Sequence, residues 1–262
     1  MHPILNIAVK AARRAGTVIV RYIDHVDRLE VTEKGRNDFV SEVDEIAESE
    51  IINVIKTAYP DHAIVAEESG KKTGRQYEWV IDPLDGTTNF LHGHPVFAVS
   101  IAVRQDSEIR HAVIFDPLRN ELFTASRGSG AHLNNHRIRV SRVIRMRSAL
   151  LGTGFPFKHL EHLDTWMATF KVLLRRSSGI RRAGSAALDL AYVACGRFDG
   201  FWEMGLKEWD MAAGCLLVQE AGGLVSDFAG RQDYLVTGNI VAGNPAIHPE
   251  LLDIIRDKLP AN

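Results

Sequence analysis

Asp82 and Asp85, joined by Pro83 and Leu84 and followed by Gly86-Thr87-Thr88, are the residues of this chain best suited to chemistry. Pro83 fixes its own φ and restricts Asp82, so the two carboxylates are held before any cation arrives. The Leu84 carbonyl lies between them and can serve as another hard oxygen ligand. Gly86 lets the backbone approach a ligand closely, and the amides that open the next helix make an anion site. A cation site beside an anion site points to a metal-dependent enzyme acting on a phosphate ester. Asp-Pro and Asp-Gly are each common turn pairs. The nine-residue run 82–90, Asp-Pro-Leu-Asp-Gly-Thr-Thr-Asn-Phe, is much more specific.

Glu67 and Asp210 extend the set, giving four carboxylates at predicted strand or loop ends with no Cys or His at a regular ligand spacing. An all-oxygen set selects hard cations, Mg²⁺ first and Mn²⁺ second. Four converging acids without cations repel and raise one another's pKa values. Asp210 also precedes an expected helix at 211–221, where its bland reading is an N-cap. If 63–67 is extended, Glu67 and Glu68 point to opposite faces. Other constellations carry less. His92 with His94, and His132 with His136, lack partners at zinc spacing. Gly152-Thr153-Gly154 begins no dinucleotide fingerprint, and Ser148, Ser177 and Ser178 lie in no nucleophile elbow.

The elements that must position these residues follow from periodicity. Apolar spacing predicts helices over 3–23 and 42–58, the second ended by Tyr59-Pro60-Asp61, with a loop or hairpin over 34–40. Short strands are expected at 62–66, 78–82, 96–104, 110–116, near 121–125 and at 137–140. The second half reads as strands near 149–152, 198–203, 224–226 and 239–242. Helices are expected near 160–174, 186–195 and 211–221, and over about 249–258. Ser185 suits the cap of the 186–195 helix and Gly196 its end. Without linker or repeat, this order suits layered α/β or α+β packing.

Composition narrows the class. A 262-residue chain that is 45% apolar can build a sizeable core, and a net charge of −2 gives no overall bias toward nucleic acid or membrane. Cys195 and Cys215 are too few for a disulfide framework and read as buried thiols, which fits a cytoplasmic home. Basic residues interrupt the N-terminal segment, so no signal peptide is expected, and no apolar run is long enough to cross a membrane. Charge is uneven. Residues 24–50 hold ten acids and three bases, and residues 122–188 hold two acids and twelve bases. The basic stretch reads as a solvated surface balanced in space, or as a face for a polyanion, a phosphorylated substrate or an acidic partner.

The run 82–90, Ala66-Glu67-Glu68-Ser69-Gly70 upstream, and Trp209-Asp210-Met211 through Gly222-Gly223 downstream together resemble the inositol monophosphatase family. Residues 184–194 and 237–244 are most similar to its bacterial SuhB-type members. The resemblance spans essentially the whole chain. It implies the αβαβα sandwich shared with fructose-1,6-bisphosphatase, as one domain whose halves, roughly 1–140 and 141–262, hold the active site between them. It also implies Mg²⁺-dependent hydrolysis of myo-inositol monophosphate, with two or three ions, Mn²⁺ as a substitute and Li⁺ as an inhibitor. Glu67, Asp82 and the Leu84 carbonyl would hold one ion, and Asp82, Asp85 and Asp210 a second. Thr87, Asp44 and Glu67 form the implied catalytic set, with Asp38 a competitor for Asp44's place and Glu68 supporting Glu67. Implied substrate contacts are Leu84, Asp85, Gly86, Thr87, Thr88, Arg181, Gly184, Ser185, Ala186, Glu203 and Asp210. Arg182 is assigned to a subunit interface. A homodimer is implied, and so is an accessory role in ribosomal RNA transcription antitermination with RNA polymerase as partner. The alternatives are a sibling phosphatase acting on fructose 1,6-bisphosphate or an adenosine bisphosphate, and a mainly regulatory polymerase-binding protein. Glu203, acidic where the polyol should sit, favours inositol.

Overall fold

The computed structural model describes residues 2–28, 31–35, 38–157 and 159–259. Helix α1 (Pro3–Tyr22) starts with Pro3 in its first turn. A hairpin of β1 (Val31–Gly35) and β2 (Asp38–Ser41) leads into α2 (Glu42–Ala58). An eight-stranded sheet follows: β3 (Ala63–Ala66), β4 (Gly70–Lys72), β5 (Glu78–Asp85), β6 (Ala98–Gln105), β7 (Glu108–Asp116), β8 (Glu121–Ser126), β9 (Gly130–Leu133) and β10 (His136–Arg137). Its spatial order is β10-β9-β8-β7-β6-β5-β3-β4, with the short helix α3 (Thr87–Leu91) after β5.

The second sheet runs β12-β11-β13-β15-β14, from β11 (Leu150–Thr153), β12 (Gly179–Arg181), β13 (Gly200–Glu203), β14 (Leu224–Ser226) and β15 (Ile240–Gly243). Helices α4 (Leu163–Arg176), α5 (Ala186–Ala194), α6 (Glu208–Glu220), α7 (Tyr234–Thr237) and α8 (Ile247–Arg256) alternate with these strands. The β4, β9, β12 and α7 elements were not foreseen. Each has four residues or fewer, too few to show a period.

Three cores define the layers. Residues Ala8, Ala12, Ile19, Ile51 and Ile55 of α1 and α2 pack on Trp79, Ile81, Val99 and Ile101 from one face of the large sheet. Val80, Ala98, Ala102 and Ile114 from its other face meet α5 and α6, which also cover Phe201 and Ala242 of the second sheet. Leu151, Trp202 and Val241 face Trp166 and Leu173 of α4 and Leu251 and Ile255 of α8. The result is helix, sheet, helix, sheet, helix: the αβαβα sandwich. Because α5 and α6 are covered on both sides, both read as apolar nearly all round. Each fully buried Ile, Val or Leu contributes about 1.5–3 kcal/mol.

Several expectations change here, and the strand expected at 137–140 is only His136–Arg137. The strand at 78–82 does not stop at Asp82 but runs to Asp85, and the helix expected at 211 starts at Glu208. Asp210 therefore sits in the first turn of α6 rather than at its cap. Cys215 is buried as expected, but Cys195 is only partly buried. Among the described residues no helix is long and apolar enough to cross a membrane.

Candidate active site

Strand β5 delivers the first two acids. Its residues alternate between faces, Trp79 and Ile81 toward α1 and α2, Val80 toward α5 and α6. Asp82 continues the Val80 face. Asp85, three residues on, would point the opposite way in a regular strand. The register against β6 resolves this: Asp82 pairs with Ser100 and Asp85 with Ala98, so three steps on β5 match two on β6. The extra residue is a β-bulge at Pro83-Leu84, and it returns Asp85 to the Asp82 side. Proline is tolerated there because a bulge has no ladder bond to lose.

Four further segments close around this pair. The Ser100 hydroxyl donates to the Trp209 carbonyl at 3.2 Å, which ties the start of α6, and hence Asp210, to the sheet. Asp210 Oδ2 accepts the Lys207 amide at 2.7 Å. Asp85 Oδ2 accepts the Ser185 hydroxyl at 2.5 Å and the Ala187 amide at 2.7 Å, so the start of α5 is stitched to β5. Ser185 also caps α5, as the sequence suggests. Gly86 adopts φ +101, where a Cβ would meet the Val96 carbonyl at 2.9 Å and the Gly184 carbonyl at 3.2 Å. The Asn89 amide donates to the Val96 carbonyl at 2.7 Å and the Ala183 carbonyl at 2.9 Å, joining the two chain halves.

Helix α2 grips the site from behind. Asp44 Oδ1 accepts the Thr87 hydroxyl at 2.8 Å, and Oδ2 accepts the Ser41 amide and hydroxyl at 2.9 and 2.6 Å. The Thr87 hydroxyl lies 3.1 Å from the Leu84 carbonyl as well, with one proton for both acceptors. The competing Asp38 side chain lies outside the described residues. One turn after Asp44, Glu48 accepts the Glu68 and Ser69 amides, one on each oxygen, both at 2.8 Å. Glu68 thus contributes its amide. Glu48 was missed because the helix was read only for its apolar positions, although an acid at i+4 from Asp44 shares its face.

These elements enclose a cavity of about 430 Å³. Glu67, Asp82, Leu84, Asp85, Gly86, Thr87, Thr88, Gly184, Ser185, Ala186, Glu203 and Asp210 all line it, and so do Arg182 and Asp189. Arg181 does not. It is exposed and donates to the Ile180 carbonyl at 3.1 Å, whereas Arg182, expected at a subunit interface, lines the cavity instead. Neighbouring residues of an extended strand end face opposite ways. The Arg182 guanidinium lies over the rings of Phe155 and Phe157, 5.0 and 5.3 Å from their centroids. Asp189 is 1% exposed, and burial, Glu203 and Asp85 push its carboxyl well up against the pull of Arg182.

Burial, then the charges of Glu67, Asp85 and Asp210, push the Asp82 carboxyl far above the usual carboxylate range. Burial raises Asp85 to about 6, opposed by its bonds to Ser185 and to the Ala187 and Ala186 amides. Burial also raises Asp44, opposed by Ser41 and Thr87. Among the described residues no three His, Cys, Asp or Glu side chains form a ready ligand cluster. The chemistry of the donors nevertheless fits a hard cation: acids and one carbonyl around a buried carboxyl that its neighbours force toward protonation.

The chain matches the Inositol monophosphatase family over residues 1–259. It is 55% identical to the Nus factor SuhB of Pseudomonas aeruginosa, covering 99% of this chain and 98% of that one. Among solved structures, the extragenic suppressor protein suhB of Bartonella henselae superposes with a TM-score of 0.96 at 46% identity, over 98% of this chain and 100% of that one. An inositol monophosphatase from Anabaena gives 0.88 at 40% identity, over 98% and 96%.

Proposed function

The chain belongs to the inositol monophosphatase family and is a phosphatase, and on that premise we propose that it hydrolyses myo-inositol monophosphate to inositol and phosphate with Mg²⁺. The observation that carries this reading is Asp82, buried among Glu67, Asp85 and Asp210 on the wall of one cavity. Glu67, Asp82 and the Leu84 carbonyl would hold one ion, and Asp82, Asp85 and Asp210 a second. Bound there, the ions supply Lewis acidity to the attacking water and to the leaving oxygen. The residues of the chain do the rest. With its proton donated to Asp44, Thr87 presents an oxygen lone pair that accepts a hydrogen bond from the attacking water. Ser41 holds Asp44 in the acceptor state by donating twice to its other oxygen. The backbone at Gly86, Thr87 and Thr88 offers amides to the phosphate oxygens, and Glu203 accepts from hydroxyls of the polyol.

Hydrolysis of a panel of phosphate esters at varied Mg²⁺ and Mn²⁺ tests the reading. Release from inositol monophosphate, lost on chelation and inhibited uncompetitively by Li⁺, is the expected result. A preference for fructose 1,6-bisphosphate or an adenosine bisphosphate would move the substrate to the sibling class. Release from no ester would sink the catalytic reading. A second role is favoured by the relative's name as a Nus factor. Arg137, Arg139, Arg142, Arg145 and Arg147 are all exposed, a basic stretch of chain suited to a polyanionic partner. We infer a homodimer that joins the RNA polymerase antitermination complex in the cytoplasm. Failure to co-purify with polymerase, or to alter readthrough in reconstituted transcription, would remove that role.

A further inference from the structure

We propose that Gly154 sets the selectivity of the cavity for hydroxyl-rich esters by leaving open the space that the Glu203 carboxylate occupies. This rests on Glu203 being the polyol contact. Gly154 follows the last residue of β11, and Glu203 is the last residue of β13. The strands are parallel, with Thr153 opposite Trp202, so Gly154 and Glu203 leave the sheet side by side. Both line the cavity. A Cβ built on Gly154 would overlap both oxygens and the carboxyl carbon of Glu203. The glycine is not needed for its backbone, because Gly154 is not among the residues with positive φ. No left-handed φ bars a side chain there. The missing side chain is what matters.

The neighbours determine which group would yield to a Cβ. Thr153 is fully buried, and the Trp166 indole donates to its hydroxyl at 3.3 Å. β11 is paired on both sides, with β12 and with β13, so the strand end is held. Glu203 meets Gly154 with the far end of a flexible side chain. Asp189, itself buried, lines the same cavity. A displaced Glu203 carboxylate leaves the position facing the polyol. The fold has no comparable reason to change.

The test uses the full chain and three variants, Gly154→Ala, Glu203→Ala and the double variant. The readout is kcat/KM for myo-inositol 1-phosphate relative to phenyl phosphate, whose leaving group carries no other hydroxyl. Each single variant should lower that ratio at least about tenfold, since a site built to bond a hydroxyl discriminates strongly through that bond. The double variant should be no less selective than Glu203→Ala alone, because Gly154 acts through Glu203. A crystal structure of Gly154→Ala should show the carboxylate moved. A ratio that falls for Glu203→Ala but not for Gly154→Ala overturns the proposal and leaves the reading of Glu203 intact. Additive losses in the double variant, or an unmoved carboxylate in the crystal, also overturn it. An unchanged ratio in Glu203→Ala, or turnover of neither ester by the parent protein, sinks the polyol reading and this proposal together.

Discussion

The two walls of the cavity are built differently. On the α2–β5 side, the described side chains are bonded in fixed directions: Asp44 to Ser41 and Thr87, Glu48 to the amides after Glu67, Asp85 to the start of α5. On the wall formed by Phe155, Arg182 and Asp189, contacts are softer. Arg182 is held by ring faces, and its Nε, like Asp189 Oδ1, is buried without a hydrogen-bond partner among the described residues. Cation–ring attraction is weakly directional and worth about 0.5–2 kcal/mol, whereas a charged buried acceptor with two amide donors is costly to disturb. The first wall is suited to holding reacting atoms at one geometry. The second is suited to adjusting to the shape of a leaving group. Differences in rate should therefore arise mainly from the first wall and differences in substrate choice from the second.

The largest expected effect comes from Asp82→Asn. Activity should fall at least about 10²-fold, as when a preorganised electrostatic element is lost, measured as turnover at saturating Mg²⁺. Stability of the metal-free protein should move the other way. The Asp85 carboxyl sits near 6 against an ordinary 3.8, and Asp82 is raised too, so the folded state binds these protons more tightly than the unfolded one. The metal-free protein therefore loses stability as pH rises from about 4 through 6 and beyond. Thermal unfolding in chelator should show a falling Tm over that range. Asp82→Asn should flatten the fall and raise Tm at pH 8. Equal profiles for the two proteins would mean that the acids are not crowded.

Thr87→Ala should lower kcat by about 10²-fold, the low end for a proton-handling group, with KM nearly unchanged. A change confined to KM would place Thr87 on the substrate. Glu48→Gln touches no ligand, but it turns one acceptor into a donor facing an amide. It should cost about 1–3 kcal/mol of stability and raise the Mg²⁺ concentration needed for half-maximal rate, because the turn after Glu67 is released. Loss of stability with unaltered Mg²⁺ dependence would leave Glu48 merely structural. Arg182→Ala should have the smallest effect, a rise in KM of a few-fold at nearly constant kcat, consistent with losing about 1 kcal/mol of uniform binding. A large fall in kcat would show the second wall to be as rigid as the first.

Much of this site was legible in the sequence because its residues lie in short contiguous runs. The run 82–90 carries both acids, the bulge proline, Gly86, Thr87 and Asn89, and its meaning survives without coordinates. The helix faces of α1 and α2 were legible as well, since a one-sided apolar stripe follows the helical period. Tertiary structure decided the rest. Asp82 and Asp85 share a face only because β6 imposes a one-residue slip on β5. Arg182 rather than Arg181 enters the cavity because of where β12 ends against β11. Glu48, Asp189 and Gly154 gain their roles from partners 20, 14 and 49 positions away in the chain, Glu68, Glu203 and Glu203 again. A linear pattern records which groups a segment offers and at what period. Register, burial and the company a charge keeps arise only when segments distant in the chain are packed together.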